Sequence, residues 1–491
     1  MKLTEEQKNI LDHKDNLIVN AISGSGKTLT IIEYAKQFPD LKQLYLVFNK
    51  SACEDAKKRF SEEFLNIDIF TSHGLAFRKL RLNYKNILKY GSYNIYGLSK
   101  MFDIRLTLAS GKLFTHVLNL FEEYCNSSFE TIKDVKYLSL IQKSTLAFNF
   151  VEKQIKNIES FAEKFWNKMD NQEIDITHSY YLKSYQLSKP NLSEEYDIIY
   201  VDEGQDTNPP LLDIFERQTC KKIIIGDSFQ QIYSWRGALD SLSKFPEFKK
   251  LHLTNSFRFG KNIADLANGI LQQKSNTNDI FINGIGGNQK VAGGECHLFR
   301  TNIGIFEFLM FNLPTILSKK YKVYFEGGIS GYPLLNNNNK KLLDVYYLFK
   351  KDYNKITNFF YKNNFDCIEE LEEYSKIIED KETLSIINLV TIYEDKVLEL
   401  LNTLEPLITK SKSRSEIIIS TVHKSKGLEY NKVIIEDDFP LLSELKAKKE
   451  KKPNSNSVNE EFNVLYVAVT RAVSGVHFRN DRMKSEILNG A

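Results

Sequence analysis

Short apolar runs recur along the chain, and a polar or glycine-containing stretch follows each one. Leu17-Ile18-Val19, residues 43–48, Ile67-Asp68-Ile69-Phe70, residues 196–201 and Lys222-Ile223-Ile224-Ile225 are of this kind. Strands buried on both faces of a parallel sheet read as such runs. Between them the spacing turns helical: residues 4–11 with Thr4 as N-cap, 29–37, and a stretch opening at Asn49-Lys50-Ser51 that runs to Phe60. This alternation predicts an α/β domain. From about Asn83 to Pro190 the pattern becomes long, helical and rich in Leu, Phe and Tyr, as expected of a helical insertion. Within it, residues 161–169 form an amphipathic helix with Trp166 and Met169 in its core. A further helix starts in residues 176–183, where His178 and Lys183 are the candidates for polar contacts.

A second α/β region begins at Leu251-His252-Leu253-Thr254 and continues with strands at 296–299, 322–325, 416–420 and 432–435. A smaller helical insertion, about 344–413, interrupts it. Residues 446–452 read as an exposed, lysine-rich loop, and Glu460-Glu461 leads a helix ending in residues 465–472. No fixed-period repeat is evident, although the two α/β regions have the look of structural duplicates.

The chain's 491 residues exceed one ordinary core and point to two to four domains. A net charge of +3, from 66 basic and 63 acidic residues, announces no nucleic-acid binder, so any such surface must be local. Five scattered cysteines without a C-x-x-C pair argue against zinc and iron–sulfur sites and fit a reducing, cytoplasmic compartment. No apolar run is long enough to span a membrane, and the N-terminus lacks a signal-peptide core.

Chemistry enters at Asn20-Ala21-Ile22-Ser23-Gly24-Ser25-Gly26-Lys27-Thr28, directly after the first strand run. A strand, a Gly-rich turn, Gly-Lys-Thr and a helix make a phosphate-cradling loop. Small residues let backbone N–H groups approach phosphates, and the helix N-terminus favours negative charge. Lys27 reaches the β- and γ-phosphates and Thr28 ligates Mg²⁺. Ala21 stands where this loop usually has its first glycine.

The acidic stretch Asp202-Glu203-Gly204-Gln205-Asp206 ends the run at 196–201. Asp202 suits a magnesium ion held through water, and Glu203 the orientation and deprotonation of an attacking water. Gln230 is placed to sense a γ-phosphate. Phe48-Asn49-Lys50 and Thr71-Ser72-His73 lie at strand ends, where ligands gather in α/β sheets, and suit a single strand of nucleic acid. Tyr233, Trp235 and Arg236 offer stacking and charge on a loop. Gln7, a surface glutamine if taken alone, has an amide able to read an adenine edge.

Taken together and in this order, these blocks resemble superfamily 1A DNA helicases of the UvrD/PcrA/Rep type. The resemblance also takes in Arg258, His423 through Glu429, and Tyr466-Val467 through Thr470-Arg471-Ala472. Within that group the chain resembles the F-box DNA helicase branch, without an F-box. Val47-Phe48-Asn49-Lys50-Ser51, Ser256-Phe257-Arg258-Phe259-Gly260, Leu465 to Ala472 and the 176–188 segment carry that second likeness.

The resemblance implies a P-loop NTPase built of two RecA-like parallel-sheet domains with two helical insertions. The first domain would comprise 1–83 and 191–250, with its insertion at 84–190. The second would comprise 251–343 and 414–491, with a reduced insertion at 344–413. It further implies ATP and Mg²⁺ as ligands. Lys27, Glu203, Gln230, Arg258 and Arg471 would be catalytic, with Arg471 an arginine finger. The nucleotide would touch Gln7, Ala21, Ile22, Ser23, Gly24, Ser25, Gly26, Lys27, Thr28, Phe257, Arg258, Gly427, Glu429 and Arg471, with Phe257 stacked on the base. Thr28 and Asp202 would hold the metal. Phe48, Asn49, Thr71, His73, Tyr233, Trp235, Arg236, Thr421 and His423 would line a single-strand channel. Arg258 and Arg471 are expected to reach the γ-phosphate only when the cleft between the domains closes.

Leu29 replaces an Arg common in relatives, Ser256 an Asn and Asn463 an Arg; these departures touch base selectivity and coupling, not hydrolysis. The expected activity is ATP-dependent 3′–5′ translocation and unwinding on single-stranded and tailed duplex DNA, in repair, recombination or phage defence. The alternative is an ATP- and DNA-sensing subunit that regulates a partner nuclease or another repair or defence protein. An unrelated P-loop kinase or GTPase leaves Trp235-Arg236 and the whole second α/β region unexplained.

Overall fold

Residues 17–21 sit between two neighbours in a six-stranded parallel sheet, and everything near the phosphate loop hangs from that arrangement. A computed structural model describes residues 3–61, 66–81, 93–234, 237–274, 280–336, 339–452 and 455–488. The strands are β1 (Leu17–Ala21), β2 (Gln43–Val47), β3 (Ile67–Thr71), β4 (Ile198–Val201), β5 (Lys221–Gly226) and β6 (Lys249–Leu253), in the order β3-β2-β4-β5-β1-β6. Alternate residues of these apolar runs face opposite sides, as a strand period of two requires. Ile18, Leu44, Leu46, Ile199, Val201 and Ile224 share a core with the first helical insertion. Leu17, Val19, Tyr45, Val47, Ile198, Tyr200, Ile223 and Ile225 pack on the other side, with side chains of the helices Glu5–Asp12, Lys27–Ala35 and Lys50–Ser61.

One strand moves relative to the sequence expectation. Residues 251–254 were expected to open the second region, yet β6 runs parallel to β1, pairing Leu17 with Lys249 through Ala21 with Leu253. It forms the edge of the first sheet, so the chain crosses to the second half only after Leu253. A two-stranded pair follows, β7 (Asn255–Ser256) with β8 (Asn283–Gly284).

The second sheet holds β9 (Glu295–Phe299), β10 (Val323–Phe325), β11 (Ile417–Thr421), β12 (Tyr430–Ile435) and β13 (Ala472–Phe478), all parallel, in the order β10-β11-β9-β12-β13. Cys296, Leu298, Ile418, Val433 and Ile435 pack with residues of the helices Lys261–Lys274, Asn456–Val469 and Asp481–Leu488. Phe299, Val323, Phe325, Ile417 and Ile419 share the opposite core with the second insertion. The expected α/β class with two parallel sheets and two helical insertions therefore stands. The first insertion carries the helices Ile95–Met101, Leu108–Cys125, Leu146–Asp170 and His178–Leu187. The second carries Lys340–Phe349, Phe359–Asn364, Ile368–Ile377, Lys381–Tyr393 and Lys396–Leu404.

Residues 446–452 are not an exposed loop. The helix Leu442–Lys451 occupies most of that stretch, pinned by buried Leu442 and Leu445, with Lys446, Lys448 and Lys451 outside. Strand β13 and the helix Asp481–Leu488 were not expected from the sequence. Met169 is buried and Trp166 packs against Tyr124 and Tyr180, as core residues do. Lys183 is buried as well, donating to the carbonyls of Ser127 (3.0 Å) and Phe129, which follow the helix Leu108–Cys125. Among the described residues no helix is long and apolar enough to cross a membrane.

Candidate nucleotide cleft and strand groove

The loop after β1 takes its shape from two glycines in the left-handed region, Gly24 (φ +75°) and Gly26 (φ +79°). Gly26 is the N-cap of the helix Lys27–Ala35, so the unsatisfied N–H groups of that helix open onto the loop. The second region presses closely on it. A Cβ at Gly24 would lie 2.6 Å from Cβ of Arg258 and 2.7 Å from Oγ of Ser256. The Phe257 N–H donates to the Gly24 carbonyl at 2.8 Å, and its ring approaches Gly26. Ala21 is fully buried at the end of β1, and Ile22 is buried among side chains of the second half, including Phe259 and Ile263.

Lys27 donates to Glu203 Oε1 at 2.8 Å. Burial pulls its ammonium pKa down, but Glu203, Asp202 and Asp227 outweigh that and leave it raised. Burial acts on Glu203 in the opposite sense and is likewise outweighed, by Lys27 and Lys426, so its carboxyl falls to about 2. Asp202 is pushed up by burial and by its neighbour Glu203, while Tyr45 donates to its Oδ2 at 2.7 Å. Glu203 itself sits at φ +51°, a backbone position that L-residues rarely occupy. Thr28 lies in the first turn of the helix after the loop.

This set fits a triphosphate with a divalent cation. Ser25 Oγ is buried with no hydrogen-bond partner among the described residues. The buried Asp202–Glu203 pair holds Asp202 above its usual range, which a cation would relieve.

Two sequence-distant arginines converge on Ser23. Arg258 Nη1 donates to its Oγ at 2.5 Å and Arg471 Nη2 at 2.9 Å. Arg471 Nη2 also lies 3.4 Å from Gln230 Oε1, while Gln230 Nε2 donates to Asp227 at 2.6 Å. Burial, then the like charge of Arg258, lowers Arg471 to about 9. Both arginines therefore touch the phosphate loop here, with the two halves in contact. Glu429 pairs with Arg258 Nε at 2.8 Å, and Gly427 turns the chain beside it at φ +84°. Gln7 is not a surface glutamine: it is 2% exposed, and its amide serves Thr4 in a capping box and Thr30 Oγ1 at 3.0 Å.

On the other side of the acidic turn lies a cavity of about 230 Å³, bordered by Phe48, His73, Asp202, Glu203, Asp206 and Tyr233. Phe48, 40% exposed, stacks on Tyr233 with ring centres 5.7 Å apart and planes 15° apart. Tyr233 donates to the His423 carbonyl at 2.9 Å, linking the halves. His73 faces His178 and Tyr181 of the first insertion. Burial first, then His178, lowers His73 to about 4; burial and Arg300 do the same to His423. Both rings are neutral at physiological pH.

Asn49 and Thr71 act locally as caps, accepting from Ala52 N–H (2.8 Å) and Gly74 N–H (3.0 Å). Thr421 precedes the short helix Val422–Ser425 and is buried. Trp235 and Arg236 lie outside the described residues. Sequence reasoning assigned no role to Lys426, Asp206 or Tyr466. Lys426 pairs with Asp206 across the halves, and the Tyr466 hydroxyl donates to Asp227 at 3.1 Å. Only their place inside the quoted motifs hinted at them.

Comparison with known proteins places most of this region among helicases. The UvrD/REP helicase N-terminal domain model matches residues 3–250, half of the chain, and the UvrD-like helicase C-terminal domain model matches 335–476. F-box DNA helicase 1 of Gallus gallus is 32% identical over 96% of this chain and 48% of its own length. F-box DNA helicase protein 1 of Schizosaccharomyces pombe is 28% identical over 96% and 56%. The ATP-dependent DNA helicase PcrA of Staphylococcus epidermidis is 23% identical over 55% and 40%. The chain thus spans about half the length of the curated relatives it matches. With the N-terminal domain model covering half of the chain and the C-terminal model following it in order, the chain belongs to the UvrD/Rep helicase family.

Proposed function

We propose that the chain is an ATP-dependent DNA helicase or translocase that moves 3′ to 5′ on single-stranded DNA. The observation that carries this reading is the shared wall between the two sites. The cavity under the Phe48–Tyr233 stack is bordered by Asp202 and Glu203, which also face Lys27. In this reading Lys27 leaves Glu203 for the β- and γ-phosphates. Thr28 and Asp202 hold Mg²⁺, which neutralises phosphate charge when bound. The freed Glu203 carboxylate accepts a hydrogen bond from the attacking water. Arg258 and Arg471 exchange Ser23 for the γ-phosphate, Gln230 beside Arg471 binds it as well, and the loop residues from Ala21 to Gly26 wrap the phosphates. Phe257 stacks on the base, with Gln7, Gly427 and Glu429 around the nucleoside. Phe48, Asn49, Thr71, His73, Tyr233, Trp235, Arg236, Thr421 and His423 contact the strand, where stacking tolerates any base.

Strand displacement on 3′- and 5′-tailed duplexes tests the reading. Displacement from the 3′-tailed duplex alone, lost in Lys27→Ala, is the expected result. Displacement from the 5′-tailed duplex overturns the polarity. DNA-stimulated hydrolysis with no displacement from either favours the ATP- and DNA-sensing subunit instead.

A further inference from the structure

Among the described residues Lys426 touches neither the phosphate loop nor the arginines, yet its side chain joins the two halves beside the acidic turn. It follows the helix Val422–Ser425 and precedes Gly427. Its ammonium pairs with the Asp206 carboxylate, and the two side chains are 9% and 0% exposed. The same ammonium donates to the Gln230 carbonyl at 2.6 Å and lies 5.0 Å from the centre of the Tyr233 ring.

Each partner leads to a different working part. Asp206 ends the acidic turn. There the Gln205 amide donates to Glu203 at 2.5 Å and its oxygen accepts the Asp227 N–H at 2.9 Å. Gln230 presents its side chain to Asp227 and Arg471. Tyr233 stacks on Phe48 and donates to the His423 carbonyl. One cation from the second half therefore spans the acidic turn, the γ-phosphate side of the cleft and the ring that borders the strand groove.

Energetics favour motion as a unit. Separating a buried ion pair leaves an uncompensated charge, so Lys426 and Asp206 move together more cheaply than apart. A base that shifts Tyr233 shifts the cation facing it, and with it the turn that carries Glu203. We propose that Lys426 is a positioning residue that links occupancy of the strand groove to ATP hydrolysis, through Asp206 on one side and Tyr233 on the other. The inference rests on the function proposed above and names the residue that would couple its two sites.

The test compares the full chain with Lys426→Met, Lys426→Arg and the double variant Lys426→Met/Asp206→Asn. ATP turnover is measured without DNA and with saturating oligothymidylate, and oligothymidylate affinity by fluorescence anisotropy. In Lys426→Met the ratio of stimulated to unstimulated kcat falls at least about fivefold, the scale of a typical coupling between sites. Its KM for ATP and its affinity for oligothymidylate stay within about threefold, since the residue is neither ligand's direct contact. Lys426→Arg keeps most of the ratio because it keeps the charge. The double variant loses no more than Lys426→Met and removes the unpaired buried carboxylate, so it reports even where Lys426→Met folds poorly.

An unchanged ratio overturns the proposal. So does an equal fall in both rates, which marks a merely structural role, or a loss of stimulation explained by weaker oligothymidylate binding, which makes Lys426 a plain strand contact. A native chain that oligothymidylate does not stimulate overturns the proposed function together with this coupling. A stimulated native chain with an unaffected Lys426→Met overturns the coupling alone.

Discussion

Arg471 shows how much a single side chain is asked to hold. Its Nε donates to the Val467 carbonyl (3.1 Å), Nη1 to the Leu428 carbonyl (3.2 Å) and Nη2 to Ser23. The planar fork satisfies all three directions at once, which a lysine cannot do. Arg471→Lys keeps the charge but loses that geometry; single-turnover hydrolysis should fall by about 10³-fold or more, the scale of a lost arginine finger. Turnover within tenfold of the native chain would remove Arg471 from the γ-phosphate. At Tyr233 the expected effect is on the strand: Tyr233→Ala should weaken oligothymidylate binding by about 1–3 kcal/mol, the value of one stacked base. Titration by fluorescence anisotropy checks it, and an unchanged affinity removes the ring from the groove. Lys27 and Glu203 were legible from the phosphate loop and the acidic turn themselves, whereas Arg258 and Arg471, distant in sequence, were singled out only through the family resemblance. The surroundings of Gln7 were only half legible. Its cap partner Thr4 is three residues away, but Thr30 reaches it through tertiary packing of two helices, which no local pattern records.

At the scale of elements, the strands of both parallel sheets were easiest to read where both faces are buried, as in β4 and β11. Strand β13 alternates less cleanly, with Ser474 exposed and Gly475 half-buried, and so carried little signal. The helix Leu442–Lys451 buries only two leucines, three residues apart, among six charged neighbours, and its sequence therefore looked like a solvated loop. The place of β6 was hidden for a different reason: an apolar run states that a strand is buried but not which sheet it joins, because pairing is non-local. Two glycines in positive φ separate backbone strain from contact. Gly427→Ala meets nothing within 4 Å, so its cost is the left-handed backbone alone, about 1–2 kcal/mol. Gly24→Ala adds a clash with Arg258 and Ser256 at the seam between loop and second half. Denaturant unfolding with and without nucleotide should show Gly427→Ala modestly destabilised and still nucleotide-responsive, and Gly24→Ala without nucleotide-dependent stabilisation. Equal behaviour of the two would mean that the loop does not carry the nucleotide.

Across the whole molecule, the two helical insertions also pack against each other, and a buried histidine sits at their junction. His116, on the first insertion's helix Leu108–Cys125, is fully buried. Its Nε2 lies 2.9 Å from the Ile377 carbonyl of the second insertion, and its Nδ1 lies 2.9 Å from the Tyr137 hydroxyl. A carbonyl only accepts, so Nε2 carries the proton and Nδ1 accepts from Tyr137, a neutral tautomer with both nitrogens satisfied. Nearby, Tyr96 accepts from the Phe360 N–H, and Gly111 packs so closely under Phe360 and Tyr374 that a Cβ there would lie within 3 Å of each. Burial lowers His116 to about 4, against the partial opposition of the Ile377 carbonyl. The sign follows from proton uptake. Below pH 6.5 the unfolded chain binds a proton that the folded chain refuses until about pH 4, so the stabilisation present at neutral pH is lost as pH falls through that window. By pH 5 the loss from this residue amounts to about 2 kcal/mol. His73 and His423, also lowered to about 4, act in the same direction. His116→Phe should start less stable at pH 7, having lost the bond to Ile377, yet lose about 2 kcal/mol less than the native chain between pH 7 and pH 5. Urea unfolding at the two pH values decides it. A variant that loses as much stability as the native chain over that interval would show that the junction between the insertions does not govern the acid sensitivity of the fold.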